Sequence, residues 1–210
     1  MLVFYISLFC ILWIVIVKES DAKKSEKVRR LLLTVLILNI LYLFAQAQTN
    51  SDTVKLQVGD EAPTFSLPKL DAKYVSLRDY CGSELRKPWI NKVKHVVVLS
   101  FFATWCKPCI AEIPYLERLS KDFESLPVKF FLIDVGETRD KVVQFVKEKD
   151  IKLTILLDRY NKTSEKYDAL SIPRLFVIDK EGIIRKEQRG FSDPKQFEKE
   201  MITFLLELLE

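Results

Sequence analysis

Apolar residues run without alternation from Val96 to Phe102 (VVVLSFF), and the pattern then changes period. An uninterrupted β-branched and aromatic run is what a strand buried on both faces requires. From Lys107 onward Ile110, Ile113, Leu116 and Leu119 recur at helical spacing, which predicts a helix over about 107–123. The same reading predicts strands at 128–134 (VKFFLID), 153–157, 174–179 and 183–189, and helices at 138–149 and 161–169. A turn at Lys180-Glu181-Gly182 separates the last two strands. Asp193-Pro194, an N-cap followed by proline at the first helical position, opens a terminal helix. Upstream, Thr64 to Leu67 and Lys73 to Leu77 alternate and predict a β-hairpin, whereas 80–94 (YCGSELRKPWINKVK) has no clean period and reads as a loop. Strands alternating with helices imply an α/β fold. The expected sheet is central, mixed and mostly parallel, with helices on both faces, an antiparallel closing pair and the hairpin as an N-terminal extension.

The first 47 residues follow a different rule. Two apolar runs, Leu2–Val17 and Leu31–Ala45, flank the charged linker KESDAKKSEKVRR. The second run has the layout of a secretory signal, with Lys27, Arg29 and Arg30 before it and Ala45-Gln46-Ala47 as a small-residue cleavage site. About thirty residues precede it, which leaves three arrangements: a true start near Val28, a pair of membrane helices with the basic linker inside, or a signal processed or left as an anchor. Both runs fall short of the ~20 apolar residues that span a bilayer, which favours the signal. The expected organisation is a membrane or signal region at 1–47, a polar tether at 48–57 and a globular domain at 58–210, exported and either periplasmic or membrane-anchored facing the periplasm.

Charge changes this picture little. The whole chain has 33 basic and 29 acidic residues, but the N-terminal region holds six of the former and three of the latter. The domain is therefore nearly neutral, and no nucleic-acid or polyanion partner is expected. Four cysteines do not make a disulfide scaffold: Cys10 lies in an apolar run, Cys81 stands alone, and only Cys106 and Cys109 form a motif. A zinc site would need two more ligands, and the single histidine, His95, adds no second pair. No metal and no cofactor is expected.

The position of the pair carries the chemistry. Cys106 and Cys109 fall at the first turn of a helix leaving a strand, where free N–H groups and the helix dipole favour a thiolate, with the Lys107 cation beside them. Cys106 is expected to be the exposed, low-pKa nucleophile and Cys109 the more buried resolving thiol. Pro108 suits a first turn, while Pro114 is expected to bend the helix.

VGDEAPTFSL near the domain start, FFATWCKPC at the strand–helix junction, the Glu112-Ile113-Pro114 continuation and SIPRLFVIDKEG at 171–182 together resemble the thioredoxin superfamily. The likeness covers roughly residues 56–205 and is specifically to its exported TlpA/ResA-like thiol–disulfide oxidoreductases. It implies a thioredoxin fold and a Cys106–Cys109 pair that cycles between dithiol and disulfide through a mixed disulfide with a protein substrate. It further implies that Pro173, after Ile172, is a cis-proline beside the pair, that Glu112 is a buried acid exchanging a proton with Cys109, and that Trp105 packs beside the nucleophile and limits access. The group also implies a reducing role fed by a membrane electron donor, for example towards apocytochrome c. The long 80–94 stretch and Cys81 depart from the pattern. Three alternatives compete with it: a copper-delivery protein, a peroxiredoxin-type peroxidase and a non-catalytic thioredoxin-fold module. Copper delivery lacks its histidine, no Pro-x-x-x-Thr precedes Thr104 as a peroxidase would need, and a binding module has no use for paired cysteines.

Overall fold

A computed structural model describes residues 29–40 and 56–210. The chain divides into two units, Met1–Val54 and Lys55–Glu210. In the first, residues 29–40 form helix α1; the run Leu2–Val17, the end of the second apolar run and tether residues 48–55 lie outside the described residues. No helix among the described residues is long and apolar enough to cross a membrane.

The second unit begins with the expected hairpin, β1 (Ser66–Pro68) and β2 (Tyr74–Ser76). There follow β3 (Val96–Phe102), α2 (Lys107–Asp122), β4 (Val128–Val135), α3 (Arg139–Lys149), β5 (Thr154–Asp158), α4 (Lys162–Lys166), β6 (Arg174–Ile178), β7 (Ile184–Arg189) and α5 (Pro194–Glu207). Five strands make one mixed sheet in the order β5-β4-β3-β6-β7. β3 pairs in parallel with β4, and β4 with β5, while β3–β6 and β6–β7 are antiparallel. The two parallel crossovers step the same way across the sheet, so a common hand brings α2 and α3 to the same face.

β3 is the middle strand, and all seven of its residues are buried. Its pleat sends alternate side chains into two cores. Val96, Val98 and Phe102 join Ile113, Leu116 and Leu119 of α2, Phe145 of α3, and Phe197, Met201 and Leu205 of α5. Val97, Leu99 and Phe101 join Phe65, Leu67 and Val75 of the hairpin with Tyr167 and Ala169 after α4. One face is thus covered by three helices, the other by the hairpin and the α4 segment. The hairpin is also tied to the sheet edge by a bridge between Lys69 and Leu156. At the other end of the domain the β6–β7 turn needs Gly182, whose φ is +87° and whose missing Cβ would sit 3.0 Å from Gly82 Cα.

Residues 80–94 form neither strand nor helix, as the missing periodicity predicted. The loop is nevertheless anchored: Arg86 donates to the buried Asp79 carboxylate at 2.6 and 3.0 Å, and Asn91 Nδ2 donates to the Asp79 carbonyl at 2.8 Å. Trp89, Ile90 and Val93 remain exposed on it. Cys81 is a free thiol, 1% exposed, in the core on the hairpin side, and burial pushes its pKa up to about 12. The cysteine pair lies in the other core, so the sheet separates Cys81 from it.

Leu132, at the centre of β4, is fully buried among the helix-side core residues. Leu132→Ala is expected to lower unfolding free energy by about 2–5 kcal/mol, read as a fall in urea midpoint at unchanged denaturant slope.

Candidate active site

The site is built where β3 stops. After Phe102 the chain turns through Ala103, whose carbonyl accepts the Cys106 N–H at 3.0 Å, and Cys106 becomes the N-cap of α2. Its extended backbone (φ −81°, ψ 95°) turns the side chain back over the first helical turn, where Sγ accepts the Cys109 N–H at 3.3 Å. A cap acceptor satisfies an N–H that the helix cannot. Here the acceptor is sulfur. Lys107 and Pro108 occupy the next two positions, both exposed; Pro108 has no N–H to satisfy and its φ suits the turn. Cys106 and Cys109 are joined as a disulfide with Cα atoms 5.3 Å apart. α2 continues through Pro114 to Asp122.

Two of the expectations need correction. Cys106 is only 4% exposed, and Cys109 1%. In the disulfide the first sulfur is bonded inward to Cys109 and capped on its N–H, so it cannot also point into solvent. Trp105, expected to pack down beside the nucleophile, is 67% exposed. Its predecessor Thr104 is held from below, its N–H and hydroxyl donating to Glu137 at 2.6 and 2.8 Å, and this turns the next side chain outward.

Glu112 stands one turn beyond Cys109, on the same face of α2. It is 1% exposed, and burial pushes its carboxyl up to about 7. Ser100, the one polar residue of β3, donates to Oε2 at 2.7 Å, while Oε1 has no partner. Pro173 lies one residue beyond the Phe101–Arg174 pair of the β3–β6 ladder, after a cis Ile172–Pro173 bond, and is buried. Its carbonyl accepts the Gly190 N–H at 3.0 Å, and half-buried Ile172 touches both cores. The four principal residues predicted from the sequence therefore come to one end of β3 and its neighbours.

Sequence reasoning passed over a carboxylate pair at the same edge. Asp134 sits opposite Phe102 in the β3–β4 ladder, fully buried, and its Oδ2 accepts the Glu137 N–H at 3.2 Å. Burial, reinforced by the Glu137 charge, pushes Asp134 up to about 8. Burial alone would raise Glu137 too, but Lys141, at 2.5 Å, and the two Thr104 donors outweigh it and hold Glu137 below its ordinary value. The available signals were an Asp closing an apolar strand and a Ser interrupting the other, each at a position where only apolar residues are expected.

A disulfide capping a helix N-terminus, beside a buried acid and a cis-proline at the end of the central strand, defines a thioredoxin-fold thiol–disulfide oxidoreductase. Residues 58–187 match the AhpC/TSA family, and the chain belongs to it. It is 32% identical over 177 residues to the thiol-disulfide oxidoreductase ResA of Bacillus cereus (strain ATCC 10987 / NRS 248), covering 82% of this chain and 95% of that one. It is 31% identical over 150 residues to the thioredoxin-like protein YneN of Bacillus subtilis (strain 168), covering 70% and 81%. Among solved structures, the thioredoxin domain of a Bacteroides vulgatus thiol-disulfide oxidoreductase aligns with a TM-score of 0.59 at 19% identity, over 72% of this chain and 99% of that one. A thiol:disulfide interchange protein from Bacteroides sp. aligns with a TM-score of 0.58 at 20% identity, over 71% and 91%. These two likenesses show the fold.

The raised Glu112 carboxyl has a stability consequence. A carboxyl whose folded pKa lies above its unfolded 4.5 binds its proton more tightly in the native state, so the native state loses stability as pH rises from about 4.5 to about 7. Glu112→Gln removes that loss. Relative to the native chain the variant is expected to be unchanged near pH 4 and more stable by up to roughly 3 kcal/mol above pH 7, measured by urea denaturation across this range.

Proposed function

We propose that this protein is an exported reductant of protein disulfides, with Cys106 as nucleophile, Cys109 as resolving thiol and Glu112 as the proton carrier between steps. The observation that carries the reading is the Cys106–Cys109 disulfide seated on the helix N-terminus, with the buried Glu112 carboxyl one turn away on the same helix face. In the reduced protein the helix dipole and the Cys109 N–H favour a Cys106 thiolate. That thiolate attacks one sulfur of a substrate disulfide; a new S–S bond forms and the substrate's bond breaks, releasing one substrate thiolate. Cys109 passes its proton to the Glu112 carboxylate and attacks Cys106 Sγ. The mixed disulfide breaks, and the second substrate sulfur leaves and takes the proton held by Glu112, which returns to carboxylate. Two electrons have gone to the substrate, and Cys106–Cys109 is oxidised. Ile172 and Pro173 offer backbone beside the pair for the substrate chain to lie against, and exposed Trp105 and Lys107 flank its approach.

Direction and place complete the proposal. A membrane dithiol donor would restore the pair, and the substrates are extracytoplasmic proteins, apocytochrome c among them. Support for export comes from the apolar runs Leu2–Val17 and Leu31–Ala45 with Lys27, Arg29 and Arg30 between them, which would also hold the protein at the membrane.

The expected reduction potential of the pair, read by Trp105 fluorescence in dithiol redox buffers, is near about −270 mV; a value near about −120 mV would make the protein an oxidant instead. Cys109→Ser is expected to accumulate a mixed disulfide with substrate on non-reducing gels, and Cys106→Ser to form none. If neither variant changes turnover, the redox role fails.

A further inference from the structure

The carboxyl edge of the sheet carries a concave feature away from the cysteine pair. A cleft of about 730 Å³ lies between the hairpin on one side and the end of β5 with α4 on the other. Its floor is apolar, supplied by buried Phe65, Leu67 and Leu157, and its rim is cationic: Arg78, Arg139, Arg159, Lys162 and Lys166. The two acids that also line it are outnumbered by these five cations and are held by other groups. Asp158 Oδ2 is taken up by the Thr163 and Ser164 N–H groups and the Ser164 hydroxyl, at 3.0, 2.7 and 2.6 Å. Glu137 is taken up by Thr104 and Lys141. Among the described residues Lys162 pairs with Glu165 at 3.1 Å and Arg139 approaches Asp140 at 3.9 Å, but Arg78, Arg159 and Lys166 have no acidic partner. Tyr74 and Tyr160 stand exposed on the rim, at 63% and 75%. Arginine and tyrosine around an apolar floor are the composition of a protein-contact surface rather than of a solvated face.

Its location ties the cleft to the cysteines. β3, β4 and β5 are parallel, so the residues after β5 emerge at the same edge as Cys106, two strands away. Two strand spacings are about 10 Å across the sheet, and because the hairpin wall of the cleft packs on the face opposite the cysteine pair, a bound segment reaches Cys106 around the carboxyl end of the sheet. Glu137 is common to both places: it lines the cleft, and it holds Thr104 two residues before Cys106.

We propose that this cleft binds an acidic, extended segment of the polypeptide whose sulfur is exchanged at Cys106, a role that rests on the exchange reaction above. The cations draw the segment in and orient it, the apolar floor and the tyrosines hold its backbone and side chains, and the short separation brings the substrate sulfur to the pair. Charge complementarity of this kind acts mainly on encounter and on partner choice.

The test uses the full-length protein and two fluorescent cysteine-free peptides of equal length, one rich in Asp and Glu, the other with Asn and Ser in their place. The acidic peptide is expected to bind at least about tenfold more tightly by anisotropy. The preference should shrink between ~20 mM and ~300 mM salt, as the screening length falls from roughly 20 Å to about 6 Å. Arg159→Glu and Lys166→Glu, both surface positions, should abolish it. Equal binding of the two peptides, or a preference untouched by the charge reversals, overturns the proposal. So does displacement of the acidic peptide by free succinate at equal carboxylate concentration, which would show a site for isolated carboxylates. The same peptides extended by a disulfide then separate the two claims. The acidic one should show a lower KM at unchanged kcat, and the charge reversals should remove that KM advantage. Exchange at equal KM overturns the cleft and leaves the redox function standing. Acidic binding with no exchange on either peptide overturns the redox reading, and with it the assignment of the segment to a substrate.

Discussion

β3 is hydrogen-bonded along both edges, to β4 and to β6, and buried on both faces. Such a strand has no freedom to slide or twist independently, because each one-residue slip would exchange the side chains of the two cores. What leaves its end inherits that rigidity. Thr104, Trp105 and Cys106 follow within a few residues, Asp134 is fixed opposite Phe102, and Pro173 enters beside Phe101 and Arg174. A mixed sheet makes this convergence possible. The carboxyl ends of β3 and β4 and the amino end of antiparallel β6 lie at the same edge, so residues far apart in sequence arrive together.

At that edge the protein spends part of the stability its cores supply. Glu112 and Asp134 are both buried deeply enough that burial pushes their carboxyls to about 7 and about 8. Each lies where solvent cannot reach it and where an ionised form is poorly compensated: Glu112 Oε1 and Asp134 Oδ1 have no hydrogen-bond partner. An acid in such a place costs the fold stability as pH rises from its unfolded pKa to its raised folded one. Thiol–disulfide exchange moves protons between sulfur and its surroundings, and a carboxyl with a pKa near that of the working solution is suited to that transfer. Glu137 is set apart from the other two by Lys141 and Thr104, which stabilise its charge. One edge thus holds two acids whose charge burial disfavours and one whose charge its neighbours stabilise.

The two faces of the sheet divide the remaining tasks. The helix side contains the cysteine pair and the cores of α2, α3 and α5; the hairpin side contains Cys81 and the packing that seats β1 and β2. Cys81 and Cys106 are both buried sulfurs, yet only the second caps a helix. Cys81 lies in apolar surroundings that favour the thiol, so its reactivity is suppressed by the same desolvation that raises Glu112.

Much of this could be read along the chain. The unbroken VVVLSFF run, the helical spacing from Ile110 to Leu119, the alternation at Thr64–Leu67 and the Asp193-Pro194 start each reflect local periodicity or capping, and each element formed where that local signal stood. The Cys106-x-x-Cys109 spacing at a strand–helix junction was equally local, since one helical turn brings the two sulfurs together whatever the rest of the fold does. The sequence alone therefore determined the order of elements, the thiol pair and its place on a helix N-terminus. Tertiary structure decided what depends on strands meeting across the sheet: the Ser100 hydroxyl under Glu112, Asp134 beside Phe102, the Glu137 grip on Thr104 that turns Trp105 outward, and the cationic cleft between the hairpin and β5. These are long-range encounters between groups whose types are common everywhere in the chain. Only the sheet's register and the burial it imposes give them their neighbours and their pKa values.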